Sequence, residues 1–149
     1  MIPGRRTLRF HSLDEIVPDV ERLLGGYSTV GHWSLGQMCR HLATILRASV
    51  DMPASPARDP SLLVGEERKR AMLESGGLPE GMKTAPPFEP PAGLDDREEA
   101  EGLRAAIIHY KASPGPVIAH PLFGQIPRTE WDRFHCHHCA HHLSFAVPL

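Results

Sequence analysis

The sequence predicts an all-α fold, a four-helix bundle with one extra short helix and long connections rich in proline and glycine. Three observations lead to this prediction. Four segments carry apolar residues at intervals of three and four, which is the period of an amphipathic helix. Two segments begin with a serine that is followed three residues later by Glu or Gln, a helix-capping pattern. Prolines and glycines cluster between the segments, so the breaks fall between helices. With 149 residues, the chain is expected to form a single domain over residues 1–149.

The first helix is predicted near the N-terminus. Ser12 and Glu15 form its capping pattern, and a glycine pair beginning at Gly25 ends it. Pro18 lies inside the run, where it either kinks the helix or begins its regular part. The apolar positions that follow helical spacing are Leu13, Ile16, Val17, Val20, Leu23 and Leu24.

The second helix is predicted to follow Trp33, with Ser34 and Gln37 as its capping pattern. One stripe of this helix contains Met38, Leu42, Ile45, Leu46 and Ser49. After three prolines, residues 61–77 are predicted to form a shorter helix. This helix is polar enough to lie on the outside of the domain.

The second half of the chain contains two further helices and two connections. Residues 78–94 are predicted to form an irregular connection, which could also act as a lid over a pocket. Residues 95–113 form the third main helix, with acidic residues in its first turn as the helix dipole favours. A second connection, 114–127, leads to the last helix at 128–147, which Pro148 ends. The apolar face of the third main helix consists of Leu103, Ile107 and Tyr110.

Composition and charge exclude several classes of function. The net charge of -2 gives no electrostatic reason to expect a nucleic-acid partner. No apolar run approaches the roughly 20 residues of a membrane span, and the N-terminal residues lack the apolar region of a signal peptide. Three cysteines are an odd number, so a disulfide framework is not expected and a reducing cytoplasm is the predicted location.

The nine residues from Phe134 to His142 contain five histidines and two cysteines. Each helical residue advances about 100° around the axis, so His138 and His142 lie one turn apart on the same face. This is the spacing by which one helix offers two imidazoles to one metal ion. Aromatic residues mark this face as the buried one; its members are Trp131, Phe134, His135, His138, His142 and Phe145.

A third ligand is expected from a facing helix, because two imidazoles make a weak site. His41 is the best candidate, since it lies beside the apolar stripe of the second helix and helical bundles build metal sites from facing helices. Three imidazoles with one open position are typical of a catalytic metal site. There the ion would acidify a bound water molecule. The alternative is that these histidines are core residues bonded to neighbouring polar groups.

The other residues of the cluster have different expected roles. His135 shares the inner face, so it could be a ligand or hold another ring in place. His137 and His141 are predicted to be solvated or at the rim, and Cys136 and Cys139 to point away from the buried side. The residue after the second cysteine is not histidine, which excludes a haem attachment motif, while a redox dithiol stays open.

Three motifs resemble the DinB/YfiT superfamily, in a branch known only as a domain of unknown function. They are "HWSLGQMCRHLA", "HPLFGQIPRTEW" and "HCAHHLSF", and the resemblance extends from about Leu8 to Pro148. It implies a DinB-like four-helix bundle with a long crossover, often a homodimer. The superfamily typically takes one metal ligand from the second helix and an H-x-x-x-H pair from the last. These positions fall on His41, His138 and His142.

The resemblance also implies a function. Characterised relatives include metal-dependent transferases that use glutathione, bacillithiol or mycothiol, and a maleylpyruvate isomerase. A metal-dependent transferase or hydrolase acting on a small molecule is therefore expected, with a divalent ion (Zn²⁺ or Ni²⁺) and a low-molecular-weight thiol as cosubstrate, or water.

Individual roles beyond the metal ligands are less defined. His135 is the candidate catalytic residue, near Glu130 and Asp132 in sequence, and Arg40 or Arg133 could bind an anionic substrate. The alternative function is a non-catalytic metal- or ligand-binding bundle, or a dimeric interaction protein.

Overall fold

The computed structural model describes residues 3–57, 59–76 and 88–149, and these are mostly helical. The prediction of a mainly helical chain is confirmed, but a small antiparallel sheet was not expected. Most of the first Pro/Gly-rich connection, up to residue 87, lies outside the described residues. The elements are α1 (Ile16–Leu24), β1 (Tyr27–Thr29), α2 (Leu35–Asp51), α3 (Glu66–Ser75), α4 (Asp96–Ala112), α5 (Arg128–Leu143) and β2 (Ala146–Pro148), with single 3₁₀ turns at Leu13–Glu15 and Pro60–Leu62.

The main apolar core lies among α1, α2, α4 and α5, and α2 packs along α4. The predicted face of α4 is buried, and so is the stripe of α2 except for half-buried Ile45. The short polar helix α3 packs against α5. There Met72 and Leu73 join a second apolar cluster with Phe123, Ile126 and Trp131. As a result, α5 has the main core on one side and this second cluster on another.

Both predicted capping boxes are present. Glu15 accepts a hydrogen bond from the backbone N–H of Ser12 at 3.0 Å, and Gln37 accepts one from the N–H of Ser34 at 2.9 Å. The first box begins the 3₁₀ turn, which leads directly into α1. Pro18 is the third residue of α1 and lies in its first turn. Backbone N–H groups in the first turn have no acceptor within the helix, so the missing N–H of proline costs no helical hydrogen bond. Pro18 therefore lies in the beginning of the regular helix rather than at a kink in its interior.

The N-terminus of α2 is also bonded to residues outside the helix. The hydroxyl of Tyr27 accepts from the N–H of Leu35 at 2.8 Å, and Asp96 Oδ1 accepts from the N–H of Gly36 at 2.7 Å. The same Tyr27 hydroxyl donates to Asp96 Oδ2 at 3.0 Å. A Cβ atom at Gly36 would lie 3.0 Å from the Asp96 carboxylate and 3.2 Å from the Leu94 carbonyl. Glycine therefore permits the close approach of α4, and α2 is fixed at its first turn.

Replacing Asp96 with alanine is expected to lower the free energy of unfolding by about 2 kcal/mol. The substitution leaves the N–H of Gly36 and the hydroxyl of Tyr27 without their acceptor, and hydrogen bonds to charged groups contribute roughly 1.5–3 kcal/mol. Urea denaturation followed by circular dichroism measures the loss. Glu101→Ala, at an exposed position of the same helix, is the control and should change stability by less than about 0.5 kcal/mol. Equal losses in the two variants would contradict the role given to Asp96.

The prediction that the last helix continues to Val147 is wrong. Helix α5 ends at Leu143, and residues 146–148 form β2, which pairs with β1 in the register Tyr27↔Pro148. The physical reason is a set of non-local bonds: the carbonyl of Ser144 accepts from the backbone of Arg6, and that of Phe145 accepts from Val30. These partners stabilise an extended chain in place of another helical turn.

Candidate metal centre

The structure brings together the three histidines selected from the sequence. His41 lies on α2, and His138 and His142 lie on α5. The Nε2 atom of His138 is 3.2 Å from Nε2 of His41 and 3.2 Å from Nε2 of His142. The candidate ligand atoms of all three lie within 4.8 Å of one another. We call this group the triad; it could hold one metal ion.

The protonation of His41 is fixed by a backbone contact. Its Nδ1 lies 3.0 Å from the carbonyl oxygen of Phe88. A carbonyl can only accept, so in the neutral ring Nδ1 carries the proton and Nε2 presents a lone pair toward the triad. Metal-ligating histidines commonly have such a bond on the other ring nitrogen. Phe88 belongs to the 78–94 connection, for which the sequence leaves the role of a lid open, and the described end of this connection contacts the site.

Two of the three separations within the triad match those of ligands that share an ion. Zinc binds imidazole nitrogen at roughly 2.0–2.1 Å in tetrahedral geometry, which places two ligand nitrogens about 3.4 Å apart. Both separations from His138 are close to this value. One proton on His138 can form a hydrogen bond to His41 or to His142. A metal ion, by contrast, accepts all three lone pairs.

Aromatic rings hold two of the imidazoles in place. Trp33 stacks on His142 with ring centroids 5.2 Å apart and planes 17° apart, and Phe134 stacks on His138 at 5.3 Å and 13°. Trp33 also lies 5.1 Å from the ring of His41. The apolar surroundings restrict how far the triad can open.

The same surroundings keep the triad neutral. Burial, and then the charges of neighbouring imidazoles, holds the pKa of His138 well below its usual value. Burial does the same for the pKa of His142, followed by the charge of His41. The pKa of His41 is lowered by burial, against the opposing effect of its bond to Phe88. Metal ions bind neutral imidazole, so binding at neutral pH would displace few protons.

His135 lies in the protein interior, apart from the triad. Its side chain is 0% exposed, its ring packs edge-on against Tyr110 at 4.7 Å, and its Nε2 lies 3.1 Å from Ser49 Oγ. Burial lowers its pKa to about 3, so the ring stays neutral and is a weak general base at neutral pH. The Nε2 atom of His135 is bonded to Ser49, and among the described residues His135 is not a member of the triad.

The prediction that His137 is solvated is wrong. It is 5% exposed, and its Nε2 donates to the backbone carbonyl of Leu73 on α3. A helical wheel shows on which face of α5 His137 lies, but it cannot show that α3 covers that face. His141 is half-buried, in agreement with a rim position, and its Nδ1 lies 3.0 Å from the guanidinium of Arg5.

The cysteines are also placed differently from the prediction. Cys136 and Cys139 are 5% and 1% exposed and belong to the main core together with Cys39. All three are free thiols. Burial raises the pKa of Cys39 to about 12 and that of Cys136 to about 11, so the reactive thiolate is disfavoured. A redox dithiol at these positions is therefore not favoured.

The proposed anion-binding arginines do not contact the triad. Arg40 forms a double hydrogen bond with Glu99, at 2.8 and 2.7 Å. Arg133 is exposed and lines a cavity of about 710 Å³ on a different face of α5. Among the described residues, no triad member lines this cavity. Of the two acidic residues near the cluster, Glu130 pairs with Lys69, while Asp132 accepts from the hydroxyl of Tyr110 and from the guanidinium of Arg128.

Three contacts of the site had no sequence-based expectation: Trp33, the Phe88 carbonyl and Arg5. Trp33 immediately precedes the capping serine of α2, and an aromatic residue so close to a ligand helix is the signal that could have identified it. The Phe88 contact uses a backbone atom, so its side chain gives no signal. Arg5 lies 136 residues from His141, and nothing local in the sequence links them.

The family model described as a protein of unknown function (DUF1569) matches residues 3–149, so the chain belongs to that family. No curated protein and no solved structure matches the chain. A bilayer-crossing helix needs about 20 apolar residues, and the described parts of the chain contain no helix that meets this requirement.

Proposed function

We propose that this member of the DUF1569 family is a metal-dependent enzyme of the DinB-like type, with one divalent ion held by His41, His138 and His142. In this proposal α1, α2, α4 and α5 are the four helices of the bundle, and α3 is the extra short helix. The common core of those four helices supports this assignment. So does the origin of the ligands, which come from the second and last of the four.

One observation carries the proposal: three Nε2 atoms converge while the proton of His41 is committed elsewhere. The carbonyl of Phe88 takes the Nδ1 proton of His41, and His138 lies equally close to both partners. Without an ion, a single proton between these nitrogens can bond His138 to only one of its two neighbours, so packing alone leaves one ring nitrogen of the triad without a hydrogen bond. Imidazole ligands suit both Zn²⁺ and Ni²⁺, so both are candidates.

The chain's own residues would position the ion and limit its surroundings. A bound ion would supply Lewis-acid chemistry, by which a small thiol or a water molecule loses its proton near neutral pH. Trp33 and Phe134 orient the ligand rings and form an apolar wall. The tether from His41 to Phe88 connects the site to the end of the 78–94 connection. A small-molecule substrate with a thiol cosubstrate, or a hydrolysable bond, fits this chemistry.

A second candidate is a non-catalytic metal-binding bundle in which the ion ties α2 to α5. The observation in its favour is the 710 Å³ cavity, which lies on a different face of α5 from the triad. Under this candidate, loss of the ion would destabilise the fold. Under the enzyme proposal, the metal-free protein keeps its fold, since the apolar core does not depend on the triad.

The direct test is metal binding by the chelator-treated protein. Titration calorimetry with Zn²⁺ and with Ni²⁺ is expected to give one ion per chain. His138→Ala removes the central ligand and should weaken binding by at least about 100-fold, because even loss of a supporting contact costs roughly 10–100-fold. His11→Ala is the matched control, because His11 is exposed and lines the 710 Å³ cavity instead of the triad. This variant should bind the metal ion as tightly as the wild type does.

Two outcomes would overturn the proposal. One is a wild-type chain that takes up neither ion with defined stoichiometry. The other is a His138→Ala variant that binds as tightly as the control. Circular dichroism and thermal unfolding of each metal-free variant separate ligand loss from loss of the fold.

A spectroscopic measurement distinguishes a thiol transferase from a hydrolase. Co²⁺ replaces Zn²⁺ in such sites and gives visible absorption. Addition of 2-mercaptoethanol to the Co²⁺-loaded protein is expected to produce a near-ultraviolet charge-transfer band from a sulfur–cobalt bond, because a coordinated thiol is deprotonated. An unchanged spectrum would favour the hydrolase over the thiol transferase.

A further inference from the structure

Three polar ring atoms deep in the protein have no hydrogen-bond partner among the described residues. They are Nε2 of His120, Nε1 of Trp131 and Nδ1 of His135. The side chains of these residues are at most 2% exposed. An unmade hydrogen bond of a buried group costs roughly 1–3 kcal/mol. Three such groups in one region therefore need an explanation.

The protonation of His120 follows from its other nitrogen. His120 Nδ1 accepts from the backbone N–H of Leu122 at 3.0 Å and from that of Phe123 at 3.2 Å. Backbone N–H groups only donate, so Nδ1 is unprotonated and the proton of the neutral ring lies on Nε2. The unpartnered atom of His120 is therefore a donor.

His135 has the opposite arrangement. The hydroxyl of Ser49 donates to the carbonyl of Leu46 at 2.7 Å, so it can only accept from His135 Nε2, which lies 3.1 Å away. The proton of His135 is then on Nε2, and its unpartnered Nδ1 is an acceptor. The indole nitrogen of Trp131 is always a donor. The region thus presents two donors and one acceptor.

The three rings are neighbours. The ring of Trp131 lies between the others, with its centroid 5.1 Å from that of His120 and 5.6 Å from that of His135. Phe134 covers the group, at 4.3 Å from His120 and 5.4 Å from His135. Its own stacking partner is His138 of the triad. The group lies one aromatic ring away from the candidate metal centre, in apolar surroundings.

We propose that His120, Trp131 and His135 bind one buried water molecule. A water molecule whose oxygen accepts two hydrogen bonds and which donates one through an O–H matches the two donors and one acceptor, and buried waters typically make about three such bonds. The water completes a chain of hydrogen bonds from Ser49 on α2, through His135 on α5, to His120 in the connection before α5. It fixes this connection against the helix. The site does not depend on the metal centre.

The test uses nuclear magnetic resonance of the metal-free, ¹⁵N-labelled protein. Long-range ¹⁵N–¹H spectra are expected to show the Nε2–H tautomer for both His120 and His135. A cross-relaxation peak between water and the indole proton of Trp131 should have the sign of a long-lived bound water. Either an Nδ1–H tautomer at His135 or the lack of this peak would overturn the inference.

A variant pair gives an independent measurement. Magnetic relaxation dispersion of the water signal counts long-lived waters, and Trp131→Phe should lower that count by one. Trp33→Phe, which changes the ring stacked on His142, is the matched control and should leave the count unchanged. Equal counts in the two variants would contradict the site. The wild-type spectra decide the question if Trp131→Phe does not fold. Failure of metal binding would leave all these results unaffected.

Discussion

Replacing Arg6 with alanine is expected to lower the free energy of unfolding by about 4 kcal/mol. The guanidinium of Arg6 forms a bidentate ion pair with the carboxylate of Asp19, with hydrogen bonds of 2.8 and 3.0 Å. It also donates to the carbonyls of Ala146 and Leu143, at 2.7 and 2.9 Å. Both side chains of the ion pair are largely buried. Removing one partner of such a pair costs roughly 3–5 kcal/mol, because the other charge is left uncompensated.

The position of Arg6 explains why this single residue matters to the whole domain. It joins the N-terminal segment, α1 and the C-terminal end of α5, where a positive charge is also favoured by the helix dipole. His142 lies one residue before Leu143, whose carbonyl Arg6 binds. Loss of Arg6 is therefore expected to loosen one end of the candidate metal centre as well.

Urea denaturation measures the free energy of unfolding of Arg6→Ala, and Arg22→Ala is the control. Arg22 is exposed on α1, so its loss should cost less than about 0.5 kcal/mol. Arg6→Lys should recover only part of the stability, since a lysine cannot form the planar set of four bonds. Adding Asp19→Asn to Arg6→Ala removes the unpaired charge and should restore some stability. A loss below 1 kcal/mol in Arg6→Ala would contradict the assignment.

The sequence predicted those residues of the site whose positions follow from the helical period of about 3.6 residues. His138 and His142 face the same way because they are one turn apart, and His41 lies beside an apolar stripe that had to face the interior. The structure brings all three together. The helices themselves were predictable because capping residues and apolar spacing are local signals.

The parts that the sequence did not predict depend on distant partners. His137 is buried because α3 covers its face and Leu73 supplies a carbonyl, and no wheel of α5 contains that information. The sequence predicts that Cys136 and Cys139 point away from the buried side, because aromatic residues mark the opposite face. Helix α5 in fact packs against the main core on one side and against the second cluster on another. The end of α5 was wrong for a related reason, since β2 forms only by pairing with β1.

Acid is expected to destabilise the protein through His120. Burial lowers the pKa of His120 to about 3 in the folded state, against about 6.5 in an unfolded chain. The unfolded state therefore binds the proton first, and the stabilising contribution is present above pH 6.5 and lost as the pH falls toward 3. One pKa unit corresponds to about 1.4 kcal/mol, so the contribution lost between pH 7 and pH 4 is about 3 kcal/mol.

Comparison of variants isolates this contribution from other titrating groups. Urea denaturation at pH 7 and at pH 4, with a chelator present, measures how much free energy of unfolding each protein loses between the two pH values. His120→Gln keeps an acceptor for the N–H groups of Leu122 and Phe123 but cannot bind a proton, so its loss should be about 3 kcal/mol smaller than in the wild type. His32→Gln, at an exposed position, should lose as much as the wild type. Equal losses in both variants would mean that His120 does not resist protonation in the fold. A titration of the His120 ring by nuclear magnetic resonance gives the same answer without unfolding, because the neutral ring should persist to pH 4.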